Sequence, residues 1–426
     1  MTPLRTAAIV AVGSELVTPH RSDTNSLYLT AKLNDLGIEV RAKFVARDDR
    51  RDVAAFADHA LGVADLLILT GGLGPTDDDV TREAVAEAFG LVLEEDDGIL
   101  AFLQDRFARR GLAMPAINRK QAQVPRGAVA LANVKGTAPG LWIERGAQVV
   151  VLLPGPPNEL EAMYTAHVEP RLEARTAARR LHRRVIKIAG RAESAVDEVA
   201  QPIYQEFLAW PTPIATTILA ARGQIELHLS ASGADEAAIG AALDRTVGAL
   251  AGALGPAVFS VDGRSLEAVV GHMLGERGLR IAVAESCTGG LVMARLTAVP
   301  GSSGWVIGGV VAYANEIKER ELGVAHALLV EHGAVSEPVA AAMARGIAQR
   351  LGAEVGVGVT GIAGPAGGTP EKPVGTVVIA VDVAAAQRHA VQTHRFVGDR
   401  DLIRQFAAQA AIDLVRRTLL ENSKYT

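Results

Sequence analysis

Apolar positions in the first 170 residues alternate between short runs and helical spacings. Strands are predicted at residues 7–12, 38–44, 66–69 and 149–153, and the segments between them carry the three-to-four-residue spacing of amphipathic helices. Continuous apolar strands separated by helices are typical of a mostly parallel sheet covered on both faces. Residues 1–170 are therefore predicted to form an α/β domain.

A second series of the same kind occupies residues 258–426. Its helix after Ser336 has that serine as the predicted N-cap and Gly352 just beyond its end. Strands are predicted at 280–284, 305–313, 355–359, 376–381 and 390–396.

The middle region, residues 171–257, has a different pattern. It predicts two strands and two helices, at 185–188, 195–208, 224–230 and 235–254. The overall fold class is therefore α/β, with two α/β sheet domains joined by a small α+β module.

Composition narrows the classes of protein that this chain can be. It has 426 residues, 49% hydrophobic and 21% charged, which excludes disorder as its main state. A net charge of −5 disfavours nucleic acid as the main partner. The single cysteine, Cys287, permits no internal disulfide and no cysteine-based zinc site, and it favours a reducing, cytoplasmic location. No run of about 18 uncharged apolar residues occurs, so no membrane span is predicted.

The first candidate site is the segment at residues 70–79, TGGLGPTDDD, which directly follows a predicted strand. Ligands of open parallel sheets bind beyond the carboxyl ends of strands, where glycine amides and a helix N-terminus suit a phosphate. Three successive carboxylates suit a hard cation. The alternative is an ordinary glycine-rich turn in which Asp79 is a helix N-cap and the other acids are solvated.

Three further loops would lie at the ends of the same sheet. They are residues 13–25, 136–140 and 153–159. Asp23 is either a site residue or only the N-cap of the next helix. The convergence of four loops at one sheet edge predicts a binding site there.

The second candidate site is the segment AESCTGG at residues 284–290, between a predicted strand and a helix. Ser286 at such a turn is exposed, and the glycine amides can face an oxyanion or a phosphate. A nucleophilic serine needs a base, and Lys318 can serve if desolvation lowers its pKa. The alternatives are that Lys318 is a solvated helix charge, and that Cys287 is a rival nucleophile or a small buried residue.

A glycine-rich and threonine-rich segment at residues 359–368, followed by Lys372, suits a phosphate cradle. Arg400 begins the last predicted helix. It pairs either with a bound anion or with a surface carboxylate.

These motifs resemble the CinA family. The N-terminal segments that match are GSEL, SDTNS, TGGLGPTDDD, NRKQA, GTAPG and LPGPPNE, and the C-terminal ones are AESCTGG, YANEIK, VSEPVA, TGIAGPAGG, KPVGTV and FVGDR. The N-terminal domain is similar to the molybdopterin-binding fold, and the middle region resembles the family's KH-type module. Residues 17–20 depart from the family pattern, which usually has a glycine there.

For the N-terminal domain, the resemblance implies an ADP-ribose pyrophosphatase that uses a divalent metal (cobalt, magnesium or manganese), with potassium assisting. Metal or water-activating residues would be Asp23, Asp77, Asp78, Asp79 and Glu159, with Asp78 also catalytic. Substrate-binding residues would be Gly71, Gly72, Gly74, Thr76, Asn118, Lys120, Thr137, Gly155 and Asn158.

For the C-terminal domain, the resemblance implies a cofactor-independent deamidase that converts nicotinamide mononucleotide to nicotinate mononucleotide and ammonia. Ser286 would be the nucleophile and Lys318 the base, with Tyr313, Thr360 and Arg400 assisting. Substrate-binding residues would be Thr288, Gly289, Gly290, Asn315, Gly361, Gly364, Gly367, Gly368 and Lys372. We also expect a homodimer. The alternative function is a binding protein whose N-terminal domain holds a nucleotide or pterin phosphate without turnover.

Overall fold

The computed structural model describes residues 3–176, 180–221, 223–233 and 235–420. The chain divides into two compact units: residues 1–182 with 232–239, and residues 183–231 with 240–426. Most of the middle region therefore belongs to the same unit as the C-terminal α/β domain. The last six residues of that predicted domain lie outside the described part, and the division into three domains stays a prediction.

The first unit contains eight strands and six helices between residues 6 and 173. The strands are β1 (Thr6–Val12), β2 (Glu39–Ala46), β3 (Leu66–Thr70), β4 (Leu93–Glu95), β5 (Gln123–Pro125), β6 (Val129–Leu131), β7 (Gly140–Arg145) and β8 (Gln148–Leu153). The helices are α1 (Thr24–Asp35), α2 (Arg50–Val63), α3 (Thr81–Ala88), α4 (Asp97–Ala108), α5 (Pro157–Met163) and α6 (Glu169–Glu173).

Six of these strands form one sheet in the order β2-β1-β3-β8-β7-β6, and β4 pairs with β5 separately. The first four strands are parallel, as the sequence predicted, whereas β7 and β6 are antiparallel additions. The sheet is therefore mixed. Ala7 and Ile9 face one apolar cluster with α1, and Ala8 and Val10 face the other with α2, because successive strand residues point to opposite faces.

The middle region folds into a four-stranded sheet, in the order β10-β11-β9-β12, and two helices. Its elements are β9 (Arg180–Ala189), α7 (Glu193–Leu208), β10 (Ala215–Ala221), β11 (Gln224–Gly233), α8 (Glu236–Leu254) and β12 (Val258–Ser260). The sequence predicted β9, β11 and both helices, but not β10 or β12.

Among the described residues, one helical segment, Glu236–Ala257, is long and apolar enough to cross a membrane by length and composition alone. Within it Ile239, Leu243 and Leu250 are buried at helical spacing, whereas Asp244 and Arg245 are exposed. This arrangement is that of an amphipathic helix with one buried and one exposed face.

The C-terminal domain contains five strands and six helices. The strands are β13 (Ile281–Glu285), β14 (Val306–Val311), β15 (Val355–Gly361), β16 (Thr376–Val383) and β17 (Arg388–Arg395). The helices are α9 (Leu266–Glu276), α10 (Leu291–Thr297), α11 (Asn315–Leu322), α12 (His326–His332), α13 (Glu337–Leu351) and α14 (Arg400–Leu420).

These five strands form a mixed sheet in the order β14-β13-β15-β16-β17. The first three are parallel, and β16 and β17 are antiparallel. Helices α9, α10 and α14 cover one face, and α11, α12 and α13 cover the other. The carboxyl ends of β13, β14 and β15 therefore lie side by side at one edge. Ser336 is the N-cap residue of α13 and Gly352 follows its end, as predicted, although the Ser336 hydroxyl donates to the carbonyl of Gly333 and makes no capping hydrogen bond.

Close packing of α13 on β15 depends on two glycines. A Cβ at Gly356 would overlap the carbonyl oxygen of Ala344, and one at Gly358 would overlap that of Ala340. The α13-facing side of β15 therefore has room only for hydrogen, and the helix backbone rests directly on the strand.

We expect Gly356→Ala to lower the free energy of unfolding by about 1–3 kcal/mol, because the added methyl group has no space. Gly248→Ala is the control. Gly248 is an exposed position inside α8 with nothing near its Cβ direction, so this change should raise stability by about 0.5–1 kcal/mol. Thermal melting of the two variants measures the direction of each change in stability. A Gly356→Ala variant of unchanged stability would contradict the packing described.

Candidate active site

Ser286 follows directly from β13, the central parallel strand of the C-terminal sheet. Its backbone N–H donates to the carbonyl oxygen of Val359 on neighbouring β15, at 2.9 Å. The residue is 8% exposed. The serine hydroxyl is thereby held at the sheet edge where the parallel strands end.

Lys318 is almost fully buried on α11, the helix that follows β14. Its Nζ lies 3.4 Å from Ser286 Oγ, 3.0 Å from the carbonyl oxygen of Ala312 and 3.3 Å from that of Tyr313. The alternative of a solvated helix charge is therefore wrong. The nitrogen is surrounded by three oxygen atoms at distances that allow a hydrogen bond to each.

Burial lowers the pKa of Lys318 below the ordinary lysine value, because removal from water disfavours the charged form. A neutral amine has two N–H donors and one lone pair. The two backbone carbonyl groups can each accept one of these N–H groups, which leaves the lone pair for the Ser286 hydroxyl proton. The surroundings of Lys318 therefore match the requirements of a general base.

Cys287, the alternative nucleophile, is buried among the apolar residues of the core. Burial raises the pKa of its thiol to about 12, and the nearby carboxylate of Glu285 acts in the same direction. A thiol in this environment does not form the thiolate that attacks substrates. Of the two alternatives for Cys287, the structure therefore favours a small buried residue over a nucleophile.

A cavity of about 230 Å³ opens above Ser286. Eight residues singled out in the sequence line it: Ser286, Cys287, Tyr313, Asn315, Lys318, Thr360, Gly361 and Arg400. The predicted C-terminal site residues are thus largely brought together, although they come from positions more than 100 residues apart.

Two of these residues also support each other. Arg400 donates from Nη2 to the Tyr313 hydroxyl, at 2.9 Å, and from Nη1 to the carbonyl oxygen of Gly364, at 2.6 Å. Thr360 is buried, and its hydroxyl donates to the carbonyl oxygen of Ala334, at 2.8 Å. Arg400 therefore contacts site residues and is not paired with a surface carboxylate.

Other predicted binding residues have internal partners instead. Lys372 Nζ donates to the carbonyl oxygen of His332, at 2.8 Å, and the residue does not line the cavity. Neither do Gly364, Gly367 and Gly368. Of the predicted phosphate cradle at 359–372, only residues near its start therefore line this cavity.

The predicted use of glycine amides beside Ser286 also needs correction. The Gly289 N–H donates to the carbonyl oxygen of Ser286, and the Gly290 N–H donates to Glu285 Oε2 at 3.0 Å. Thr288 is fully buried, and its carbonyl oxygen accepts from Arg404 Nη2 at 2.9 Å. Both glycine amides are therefore already bonded within the protein and are not free donors.

Glu285 and Arg404 are the structural residues that sequence reasoning missed. The buried carboxylate of Glu285 accepts hydrogen bonds from the amides of Gly290, Val292 and Met293, so it fills the N-terminus of α10. The sequence signal for Glu285 was an acidic residue at the end of an apolar strand, just before a helix begins. Arg404 lies four residues after Arg400, on the same side of α14.

In the first unit, a cavity of about 410 Å³ lies at the carboxyl ends of β1, β3 and β8. Predicted residues Asp23 and Gly155 line it, together with Thr70 and Asn25. Asn25 Nδ2 donates to Thr70 Oγ1 at 2.9 Å and to the carbonyl oxygen of Gly155 at 2.8 Å, so it joins three loops. Three of the four loops expected at this edge therefore contribute to the cavity, whereas residues 136–140 do not line it.

The predicted metal ligands are not assembled. Asp23 caps α1 by accepting from the Ser26 amide, and Glu159 accepts from Asn133 Nδ2 at 2.7 Å. Asp79 accepts from Thr76 and does not cap α3, while Asp77 and Asp78 are exposed. No group of three or more histidine, cysteine or acidic residues that could hold a metal occurs within residues 3–176 or the other described ranges.

The remaining N-terminal residues mostly hold the loops together. Lys120 Nζ donates to the carbonyl oxygens of Thr76 and Asp79, and Asn118 and Thr137 both bond with Gln121. Cβ atoms at Gly71, Gly72 and Gly74 would overlap Val12, Thr81 and Asp79 respectively, so these glycines permit close approach of chain segments. Asn158 is exposed at the start of α5.

Comparison with known proteins gives matches over most of the chain. The family described as the CinA C-terminal domain matches residues 263–419. The family described as a probable molybdopterin binding domain matches residues 8–174. A CinA-like protein of Koribacter versatilis is 45% identical over 419 residues, covering 97% of this chain and all of that protein. The chain belongs to the CinA family.

One further relative agrees with this assignment. A CinA-like protein of Acidobacterium capsulatum is 45% identical over 418 residues, covering 97% of this chain and all of the relative. The crystal structure of a CinA protein of unknown function from Thermoplasma acidophilum is 34% identical and covers 39% of this CinA-family chain and 97% of its own, with a TM-score of 0.37.

We expect Cys287 to resist alkylation by iodoacetamide at about neutral pH in the folded protein, because the thiol is buried and its pKa is raised. Denaturant should make this single cysteine fully reactive. Intact mass measures the adduct in both states, and rapid labelling of the folded protein would show that the thiol is accessible and reactive.

Proposed function

We propose that the C-terminal domain of this CinA-family protein hydrolyses the carboxamide of nicotinamide mononucleotide to nicotinate mononucleotide and ammonia. The observation that carries the proposal is the buried contact between Lys318 Nζ and Ser286 Oγ at the floor of a cavity. A protein that only binds its ligand has no need for such a pair. Amide hydrolysis requires both a nucleophile and a base.

The proposed reaction has two halves. Ser286 Oγ attacks the carboxamide carbon while neutral Lys318 takes the hydroxyl proton. Lys318 then gives that proton to the leaving nitrogen, and ammonia departs from the tetrahedral adduct to leave an acyl-serine intermediate. In the second half, Lys318 takes a proton from water while the water oxygen attacks the acyl carbon. That proton returns to Ser286 Oγ as the carboxylic acid leaves, and the acid then loses its remaining proton to solvent.

Substitution at the two reacting groups tests the proposal. We expect Ser286→Ala to lower kcat for ammonia release by about 10³-fold or more, because the nucleophile is lost. Lys318→Met, which keeps much of the side-chain volume, should lower it by about 10²–10⁴-fold. Ammonia release by the purified full chain measures both.

Two variants serve as matched controls for this experiment. Cys287→Ala removes the neighbouring thiol, and Lys372→Met removes a second lysine that also donates to a backbone carbonyl but lies outside the cavity. Both should keep most of the activity. An inactive Cys287 variant together with an active Ser286 variant would overturn the assignment of the nucleophile.

The pH dependence follows from the lowered pKa of Lys318. The base works only when it is neutral, so kcat/KM should rise with pH as Lys318 loses its proton, with a midpoint below the ordinary lysine value of 10.5. Initial rates between about pH 5 and about pH 10 measure the profile. A rate that falls with increasing pH across this range would contradict a lysine base.

For the N-terminal domain, we propose metal-dependent hydrolysis of ADP-ribose to AMP and ribose 5-phosphate. In support, its cavity has a size typical of ligand sites and lies at the carboxyl ends of parallel strands. The carboxylates do not form a ready ligand set, so no step is assigned to a metal. The alternative, nucleotide or pterin binding without turnover, predicts no product.

We expect Asp78→Ala to abolish ADP-ribose conversion in the presence of cobalt or magnesium, because an exposed carboxylate after the glycine loop is lost. Asp58→Ala, which changes an exposed acid on α2, is the control. A chelator should likewise stop this reaction while leaving ammonia release unchanged. Unaltered ADP-ribose turnover in the Asp78 variant would remove the assignment, and no turnover in any form would favour the binding alternative.

A further inference from the structure

A cavity in the second unit is unrelated to either proposed reaction. It has a volume of about 560 Å³ and lies between the β9–α7 turn, the β10–β11 hairpin, β17 and α14. It shares no lining residue with the cavity above Ser286. We propose that this cavity binds a mononucleotide.

Aromatic rings form one wall of the cavity. The rings of His394 and Phe396 stack with centroids 5.1 Å apart and planes only 9° apart, and Phe406 lies 5.8 Å from Phe396. All three side chains are only partly buried. Exposed flat aromatic faces that line an open space are the usual platform for a nucleobase, because every base has a face that can stack.

The histidine is suited to this role because it is uncharged. Burial and the neighbouring positive charge of Arg417 both lower the pKa of His394. A neutral imidazole stacks on a base as a plain aromatic ring. The positive charge that an anionic group needs comes instead from the arginines.

Positive charge lies beside the aromatic wall, because Arg417 is a neighbour of His394. Arg417 pairs with Asp413, but Arg416 also pairs with that carboxylate at 2.7 Å, so two guanidinium groups share one acid. Arg191 adds a further cation, and Glu193 is the acid opposing it. Excess guanidinium charge beside an aromatic platform suits a phosphate attached to a base.

Amide side chains complete the lining. Gln409 is buried, its Oε1 accepts from Arg295, and its Nε2 faces Gln224 Oε1 at 3.4 Å. Gln224 Nε2 in turn donates to Glu226 Oε1, so these two side chains hold one side of the cavity in place by bonding to each other and to their neighbours. The ring platform suits the base of a mononucleotide, and the guanidinium charge suits its phosphate.

Hydrogen–deuterium exchange of the full chain with and without AMP tests the proposal, because it locates binding and so separates this cavity from the N-terminal one. We expect AMP to protect the peptides that contain residues 190–193 and 389–396. Adenosine and ribose 5-phosphate should each protect them less at equal concentration. Absence of protection in these peptides at millimolar AMP would overturn the proposal.

Two variants test the platform and the charge separately. Phe396→Leu keeps an apolar side chain but removes the ring, and Arg417→Gln removes a charge, so each should weaken the AMP-dependent protection by about tenfold in concentration. Phe102→Leu, an exposed aromatic on α4, is the matched control. Protection by AMP that is unchanged in either folded variant would contradict the site, whatever the outcome for ammonia release.

Discussion

The arrangement of the C-terminal site depends on the burial of one amine. Removing Lys318 from water costs free energy unless its nitrogen finds partners, and the partners are the carbonyl groups of Ala312 and Tyr313 and the hydroxyl of Ser286. These atoms come from the ends of two neighbouring parallel strands. Lys318 thus links the two strand ends, and the same burial lowers its pKa.

An internal carboxylate sets the electrostatic character of the turn that carries Ser286, the proposed nucleophile. Glu285 takes up three amides at the start of α10, a position that commonly attracts bound anions. Its negative charge also disfavours a thiolate at Cys287. A serine that is deprotonated only as it attacks avoids this penalty, because no lasting negative charge forms beside the carboxylate.

The strands buried on both faces could be predicted closely from sequence, because β3, β8, β13 and β15 leave continuous apolar runs. The sequence analysis missed β10, whose apolar run at residues 218–221 is mostly exposed and so does not have the alternating apolar and polar pattern of a half-buried strand. The proximity of Ser286 and Lys318 depends on β13 lying beside β14, and no local pattern contains that information.

The acidic residues of the first unit show a case in which the sequence pattern did not predict the spatial arrangement. A carboxylate near a helix start or a tight turn finds the nearest amide or hydroxyl first, as Asp23 and Asp79 do. Their grouping in the sequence therefore did not predict a grouping in space. The local hydrogen bonds decide how each of these side chains is used.

Helix α14 runs for 21 residues, about 31 Å at the usual rise, and contributes to both of the cavities described above for the second unit. Arg400 lines one cavity, whereas Phe406 and Arg417 line the other. The walls of the two cavities therefore share one continuous helix. If a ligand in one cavity displaces this helix, thermodynamic linkage requires that the two ligands change each other's affinity by the same factor.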